Sequence, residues 1–376
     1  MKYTILKFAT LSVAIVAMAM SGTAQAQYED LILDAEPFAY WRLGDDEDEE
    51  FPLDDGVGTG IEATAENVEF GADSLVPDES NTAAVFNGID SLIRVPDDGQ
   101  TNSGGPYLNK SAELWFSVDD ADLDVPQVII EEGGATRGFA MYVLEGEIYM
   151  GAWNRNNDDG GVSSPWNNPD TEGDTQVVYV SRPIESGVAY HAAFVMEGDE
   201  DGLEGTFTGY LNGFSFGSGT GVGRLFNHGD DLGIGGMDTN IWLANDTNPG
   251  GDGLYFGGTI DEVALYNIAL TDAQVRAHAL ADDGGIAGDF NGDGAVDLSD
   301  FAILAENFGN VISGDDSVSS GDFNRDQVVD MKDFRDWRAV FNAGEPAGAS
   351  AVPEPSSLGL IGVGILALAG LRRRRS

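Results

Sequence analysis

Gly258-Thr259-Ile260-Asp261-Glu262-Val263-Ala264-Leu265-Tyr266-Asn267, and past Ile268 the run Ala269-Leu270-Thr271-Asp272-Ala273-Gln274-Val275, carry the reading of the fold. The first is a short apolar run bounded by turn-forming residues, as a strand is. The second opens a helix over 271–280. Thr271 is a good N-cap, and Gln274 stands three residues on, where a capping box needs it. Upstream, short apolar runs alternate with Gly, Asn and Asp clusters at intervals of about 8–12 residues, the pattern of an antiparallel sandwich or barrel. They include 83–86, 91–95, 112–118, 138–143, 177–180, 190–195 and 205–211. Asn212-Gly213 follows the last of these at once and predicts a hairpin, because both residues tolerate positive φ.

Two segments carry a family resemblance. Tyr40-Trp41-Arg42-Leu43-Gly44 resembles the opening of LamG-like, concanavalin A-like jelly-roll domains, and the Gly258 and Ala269 segments resemble their closing strand and helix. Val85-Phe86-Asn87-Gly88 and Gly209-Tyr210-Leu211-Asn212-Gly213 fit the same family. The resemblance spans 27–283. It implies a mainly β domain of two curved antiparallel sheets packed face to face, which binds glycans or proteins, often with calcium near one rim or face. Asp90 and Asp261 become candidates for such an ion; the alternative is that Asp261 braces the closing turn.

Some relatives with this jelly roll are glucanases, which keep paired Glu residues in a Glu-x-Asp-x-x-Glu pattern as acid and nucleophile. Here Gly258 to Val263 lacks the leading Glu, and Glu145-Gly146-Glu147 has the wrong neighbours. His191, His228 and His278 form no zinc-like or triad-like cluster in the sequence, and a chain without Cys has no thiol nucleophile. No catalytic residue is expected. Trp153, Trp166 and Trp242 lie in loop-like, Asn- and Gly-rich stretches, where they either stack on sugar rings or cover the sandwich ends. The acidic run from Asp45 to Glu50 reads as a solvated loop.

A second signal is an internal repeat. Gly288-Asp289-Phe290-Asn291-Gly292-Asp293-Gly294-Ala295-Val296-Asp297-Leu298-Ser299-Asp300-Phe301 returns thirty-three residues later as Gly321-Asp322-Phe323-Asn324-Arg325-Asp326-Gln327-Val328-Val329-Asp330-Met331-Lys332-Asp333-Phe334. The spacing is that of a twelve-residue calcium loop, with oxygen side chains at positions 1, 3, 5 and 12 and a backbone carbonyl at 7. The first loop offers Asp289, Asn291, Asp293, Asp300 and the carbonyl of Ala295. The second offers Asp322, Asn324, Asp326, Asp333 and the carbonyl of Val328. Gln327 replaces the turn glycine found at Gly294, which strains and weakens the second loop. Asp297 and Asp330, at position 9, are placed to act through water.

A helix is expected after each loop. Leu298, Phe301, Ala305 and Phe308 recur at helical spacing with Gly309 as the stop, and Met331, Phe334, Trp337 and Phe341 do the same. Two short helices bury little, so metal should supply much of the folding energy. A Gly-rich approach in place of the entering EF-hand helix, and Asp at position 12, resemble type I dockerin modules. That family binds calcium, and binds cohesin domains through its helices and loop positions 10 and 11. A cohesin-like partner is thereby implied. Here positions 10 and 11 are Leu298-Ser299 and Met331-Lys332, which match neither each other nor the usual small hydroxyl pairs.

The ends speak to sorting. Lys2 and Lys7, the apolar stretch from Phe8 to Met20 and the small-x-small site Ala24-Gln25-Ala26 read as a signal peptide over 1–26. At the other end stand Val352-Pro353-Glu354-Pro355, a fourteen-residue apolar run from Leu358 to Leu371, and Arg372 to Arg375. The run falls short of the roughly 20 residues a spanning helix prefers, and the Arg cluster would stay cytoplasmic. The tail resembles the PEP-CTERM sorting signal, which an exosortase-type membrane protease reads and removes. A plain C-terminal anchor is the alternative.

The domain reading is therefore a signal peptide at 1–26, a jelly roll at 27–283, dockerin-like repeats at 286–344, a linker at 345–351 and a sorting tail at 352–376, with a transient inner-membrane stage through an apolar helix. The net charge is −47, and loss of the six basic residues at the two ends, Lys2, Lys7 and Arg372 to Arg375, would leave twelve against 65 acidic ones, near −53. Such a surface excludes nucleic acid, which needs clustered Lys and Arg. It suits an exported chain that holds divalent cations. Aromatics at 10% and hydrophobics at 42% argue against disorder. The expectation is a non-catalytic cell-surface or matrix protein that binds a surface polysaccharide or protein, and calcium. A structural matrix protein without specific ligand, and a glycoside hydrolase, are the alternatives.

Overall fold

The computed structural model describes residues 28–44, 61, 63–76, 81–155, 166, 175–199, 204–279, 288, 290, 296–311, 320–323 and 328–343. The signal peptide, the acidic run 45–50, the linker and the sorting tail lie outside the described residues.

Two antiparallel sheets face each other. The first joins β1 (Ala39–Trp41), β3 (Glu69–Asp73), β4 (Thr82–Asn87), β6 (Asn109–Val118), β11 (Tyr190–Glu197), β12 (Thr206–Leu211), β13 (Phe214–Thr220) and β15 (Gly257–Tyr266). Its order is β13-β12-β11-β6-β15-β4-β3, with β1 also on β15. The second joins β2 (Thr64–Glu66), β5 (Leu92–Val95), β7 (Gln127–Gly133), β8 (Arg137–Leu144), β9 (Glu147–Arg155), β10 (Thr175–Pro183) and β14 (Leu232–Ile234). Its order is β10-β9-β8-β7-β14-β5-β2. The fold is the expected jelly-roll-like sandwich.

Alternation along the strands sorts side chains into three layers. Ala112, Leu114, Phe116 and Val118 of β6 meet Phe139, Met141 and Val143 of β8 in the core between the sheets. Trp115, Ala193, Ala264 and Tyr266 face the other way and are covered by α1 (Tyr28–Asp34) and α2 (Asp272–Ala279). Ala140, Tyr142 and Trp153 form the outer face of the second sheet, under the 237–254 loop. With both faces covered, β6 and β15 are buried along nearly their whole length rather than at alternate residues. The helix expected at 271–280 is α2, and its capping box is present: the Gln274 backbone nitrogen donates to Thr271 Oγ1, and the Thr271 backbone nitrogen donates to Gln274 Oε1. α1 was not expected from the sequence.

Two segments flagged as chain ends of the sandwich are strand partners, with Tyr40 opposite Ala264 and Trp41 opposite Val263. A bulge between Asp261 and Ala264 puts Glu262 at φ 54, turning its side chain toward β1. There Glu262 accepts from the Tyr40 hydroxyl, the Arg42 guanidinium and the Asn81 amide.

The small module holds α3 (Leu298–Asn307) and α4 (Met331–Ala343), with a bridge between Val311 and Val328. Phe290, Leu304, Phe323, Val329 and Trp337 make its core. One expectation is corrected here. Leu298 and Met331 do not belong to the inward stripe: they are 61% and 62% exposed, while Leu304 is buried and Phe301 and Phe308 pack against the core. Each is the first residue of its helix. Gly309, at φ 83, stops α3 as expected, and its nitrogen donates to the Val329 carbonyl.

Candidate functional site

Asp300 and Asp333, at position 12, and Asp322, at position 1 of the second loop, are fully buried. Burying a carboxylate is costly unless it is compensated. The geometry orients two of them: Asp300 Oδ2 accepts from the Asp297 nitrogen at 2.8 Å, and Asp333 Oδ2 from the Asp330 nitrogen at 2.6 Å. The position-9 residues cap the helices. Asp297 Oδ1 accepts from the Ser299 nitrogen at 2.7 Å and from its hydroxyl at 2.6 Å, and these bonds, the side-chain one foremost, lower the Asp297 pKa. Asp330 Oδ1 accepts from the Lys332 nitrogen in the same way. A set of buried, oriented carboxylates at loop spacing fits a hard divalent cation. Asp289, Asn291, Asp293, Ala295, Asn324 and Asp326 lie outside the described residues; the Val328 carbonyl belongs to the bridged segment.

An aromatic ledge lies on the outer face of the second sheet. Glu145 (φ 50) and Gly146 (φ 82) form the two-residue turn between β8 and β9, which explains that pair as a hairpin turn. The turn sets Tyr142 opposite Tyr149, and their rings stack at 4.9 Å and 4°. Tyr179 meets Tyr142 edge-on at 5.7 Å. Its ring lies over Gly151, where a Cβ would come within 2.4 Å of it, so only glycine fits. The Tyr179 hydroxyl donates to the Trp242 carbonyl at 2.6 Å, and Trp242 Nε1 donates to the Ala135 carbonyl at 3.0 Å. Tyr149 faces Ser181 on its other side, an exposed and small neighbour. The three tryptophans thus separate. Trp153 is a fully buried strand residue of β9 rather than a loop residue, and Trp166 is fully buried with Nε1 donating to the Arg224 carbonyl. Trp242 alone of the three keeps partial exposure.

Two of the histidines meet on one buried carboxylate. His191 Nε2 lies 3.1 Å from Glu113 Oε2, and His278 Nδ1 lies 2.9 Å from Glu113 Oε1. The Tyr266 hydroxyl donates to the same carboxylate at 2.5 Å. The cluster is sealed beneath α2, with Glu113, His191 and His278 all buried. Burial opposes charge on Glu113, yet His278 and His191 outweigh it and hold its pKa well below the usual range. Burial likewise opposes the His278 imidazolium, but Glu113 raises its pKa. Sealed in this way, the group is a brace holding α2 to the sheet. His228 pairs elsewhere, 2.6 Å from Glu132, which also holds the buried Lys110 at 3.2 Å.

Asp90 and Asp261 are not brought together. Asp90 Oδ1 accepts from Asn87 Nδ2 in the exposed β4–β5 turn. Asp261 is buried; its Oδ2 accepts from the Ser74 hydroxyl at 2.8 Å and the Leu75 nitrogen at 2.9 Å, while Oδ1 has no partner among the described residues. Burial, with Glu262 beside it, pushes the Asp261 pKa up to about 7.

The architecture is that of a lectin-like sandwich with an appended loop–helix pair. The profile of the concanavalin A-like lectin/glucanases superfamily matches residues 87–276, and the chain belongs to that superfamily. A type I dockerin domain matches 287–335 and the PEP-CTERM protein-sorting motif matches 351–375, which marks an exported protein processed at the cell envelope through its tail. No curated protein matches the chain. Similar solved structures include the binding domain of botulinum neurotoxin serotype G, at 11% identity and TM-score 0.43 over 68% of this chain and 52% of that one. The binding domain of Paraclostridial Mosquitocidal Protein 1 is similar at 12% identity and TM-score 0.44, over 67% of this chain and 52% of that one. The chain thus spans about half the length of these structures, and at this identity the likeness says nothing of a ligand.

Proposed function

We propose that this is a non-catalytic exported binding protein whose sandwich recognises a surface polysaccharide and whose module binds two calcium ions. The observation that carries the glycan reading is the Tyr142–Tyr149 stack, which leaves the second face of Tyr149 toward the small Ser181. An aromatic face held this rigidly is suited to stack on a pyranose ring. Asp289, Asn291, Asp293, Asp300 and the Ala295 carbonyl hold one ion; Asp322, Asn324, Asp326, Asp333 and the Val328 carbonyl hold the other. Burial of Asp300, Asp322 and Asp333 supports this assignment. Exposed Leu298 and Met331, at position 10 of each loop, support docking of a cohesin-like protein through an apolar contact. An exosortase-type protease acts on the tail during export. Binding of the full chain to a glycan array, with and without Tyr149→Ala, tests the sandwich reading. Uniformly flat signals would leave a structural matrix role.

A further inference from the structure

One side chain of the sandwich belongs to the core of the small module. Phe214, at the start of β13, is 6% exposed and clusters with Phe290, Leu304, Phe323, Val329 and Trp337. Its ring meets Phe323 edge-on at 4.7 Å, and Phe323 meets Phe290 at 5.7 Å. These two phenylalanines hold the same place in the repeat, position 2 of each loop, directly after Asp289 and Asp322.

The hairpin that presents Phe214 is fixed from below. Asn212 and Gly213 form its turn at φ 50 and φ 79. The Asn212 nitrogen donates to the His191 carbonyl at 2.7 Å, and the His191 nitrogen donates to Asn212 Oδ1 at 3.0 Å. A Cβ on Gly213 would come within 3.0 Å of the Arg276 backbone, so the turn lies directly on α2. The Arg276 guanidinium covers Phe214 at 5.0 Å from the ring centroid. The sandwich therefore offers a preorganised aromatic knob, and the module offers a socket made of one residue from each loop.

We propose that the hairpin tip at Phe214 is an in-cis docking site for the calcium module, and that calcium in the two loops controls the docking. The inference rests on the calcium reading above. In each loop an ion ligand and a socket ring are consecutive residues, so fixing the carboxylate fixes the backbone that carries the ring. Without the ion, the buried carboxylates Asp300, Asp322 and Asp333 lose the cation charge that offsets their burial and the socket opens, because metal binding and folding are one equilibrium in such modules. By linkage, docking also tightens calcium binding.

The chain has no cysteine, so a spin-label pair can be placed cleanly. Thr220→Cys on β13 and Ala302→Cys on α3, both exposed, report the distance between the two domains in the full chain. A narrow distance distribution in calcium that broadens with chelator is expected. Phe214→Ala should give the broad distribution even in calcium, while keeping two bound ions per chain at roughly tenfold weaker affinity. The sandwich core does not include Phe214, and unchanged near-ultraviolet circular dichroism of the sandwich would verify folding. Phe323→Leu, which keeps an apolar side chain, should retain the ions and lie between the two. Calcium binding with a distribution indifferent to chelator, or to Phe214→Ala, overturns the docking and leaves the calcium reading standing. Absence of calcium binding by calorimetry overturns both.

Discussion

Arg42 grips Glu262 across 220 residues of chain, with Nη2 at 2.9 Å and Nε at 3.1 Å from the same oxygen. The carboxylate is buried and also receives the Tyr40 hydroxyl and the Asn81 amide. The first and last strands of the sandwich are tied through it, and α1 is drawn in by the Arg42–Glu29 pair at 2.9 Å.

Removing one partner of a buried ion pair leaves the other uncompensated. Glu262→Ala should destabilise the sandwich by about 3–5 kcal/mol. Urea unfolding measures it, and Glu262→Gln, which keeps hydrogen-bonding capacity, should cost less.

The Glu113 brace should give stability a pH optimum. Glu113 has a lowered pKa, so its contribution is present above the ordinary 4.5 and is lost as pH falls through the folded value. His278 has a raised pKa, so its contribution is present below the ordinary 6.5 and is lost as pH rises through the folded value. The brace is fully formed between those two ordinary values. Glu113→Gln should flatten the pH profile of the unfolding midpoint on both flanks.

Asp261 has the opposite sign from Glu113. With its carboxyl pushed up from 3.8 to about 7, the folded state resists ionisation, and stability falls as pH rises through that interval. Asp261→Asn in chelator should remove this slope and be the more stable form at pH 8, by on the order of 2 kcal/mol. A chelator-sensitive difference would instead place an ion at Asp261.

Calcium should bind in two steps, since Gly294 of the first loop is replaced by Gln327 in the second. Gln327→Gly should raise the weaker affinity several-fold and merge the two phases of a calorimetric titration. Chelator should lower the melting temperature of the module before that of the sandwich.

Tyr40–Gly44 and Gly258–Asn267 were legible as the ends of one fold through their resemblance to a family's opening and closing segments, and in the structure they pair and share Glu262. The loop repeat was legible because its ligands are local in sequence. Trp153 was misread because its glycine-rich surroundings suggest a loop, whereas Gly151 is there to admit the Tyr179 ring. The Glu113 brace could not be read, since its histidines come from 78 and 165 residues away. The Tyr142–Tyr149 stack was within reach: taking Glu145-Gly146 as a two-residue turn and counting outward places the two rings opposite each other. Leu298 and Met331 followed the helical period but stand exposed in the first turn of their helices, which spacing alone does not reveal.

The most direct test is retention of the full chain on a panel of immobilised polysaccharides, in calcium and in chelator, beside Tyr149→Ala. The account predicts retention by a particular glycan that Tyr149→Ala reduces at least tenfold without lowering the unfolding midpoint. Retention unaffected by Tyr149→Ala, or none on any glycan, would contradict the assignment of the outer aromatic face as the binding site.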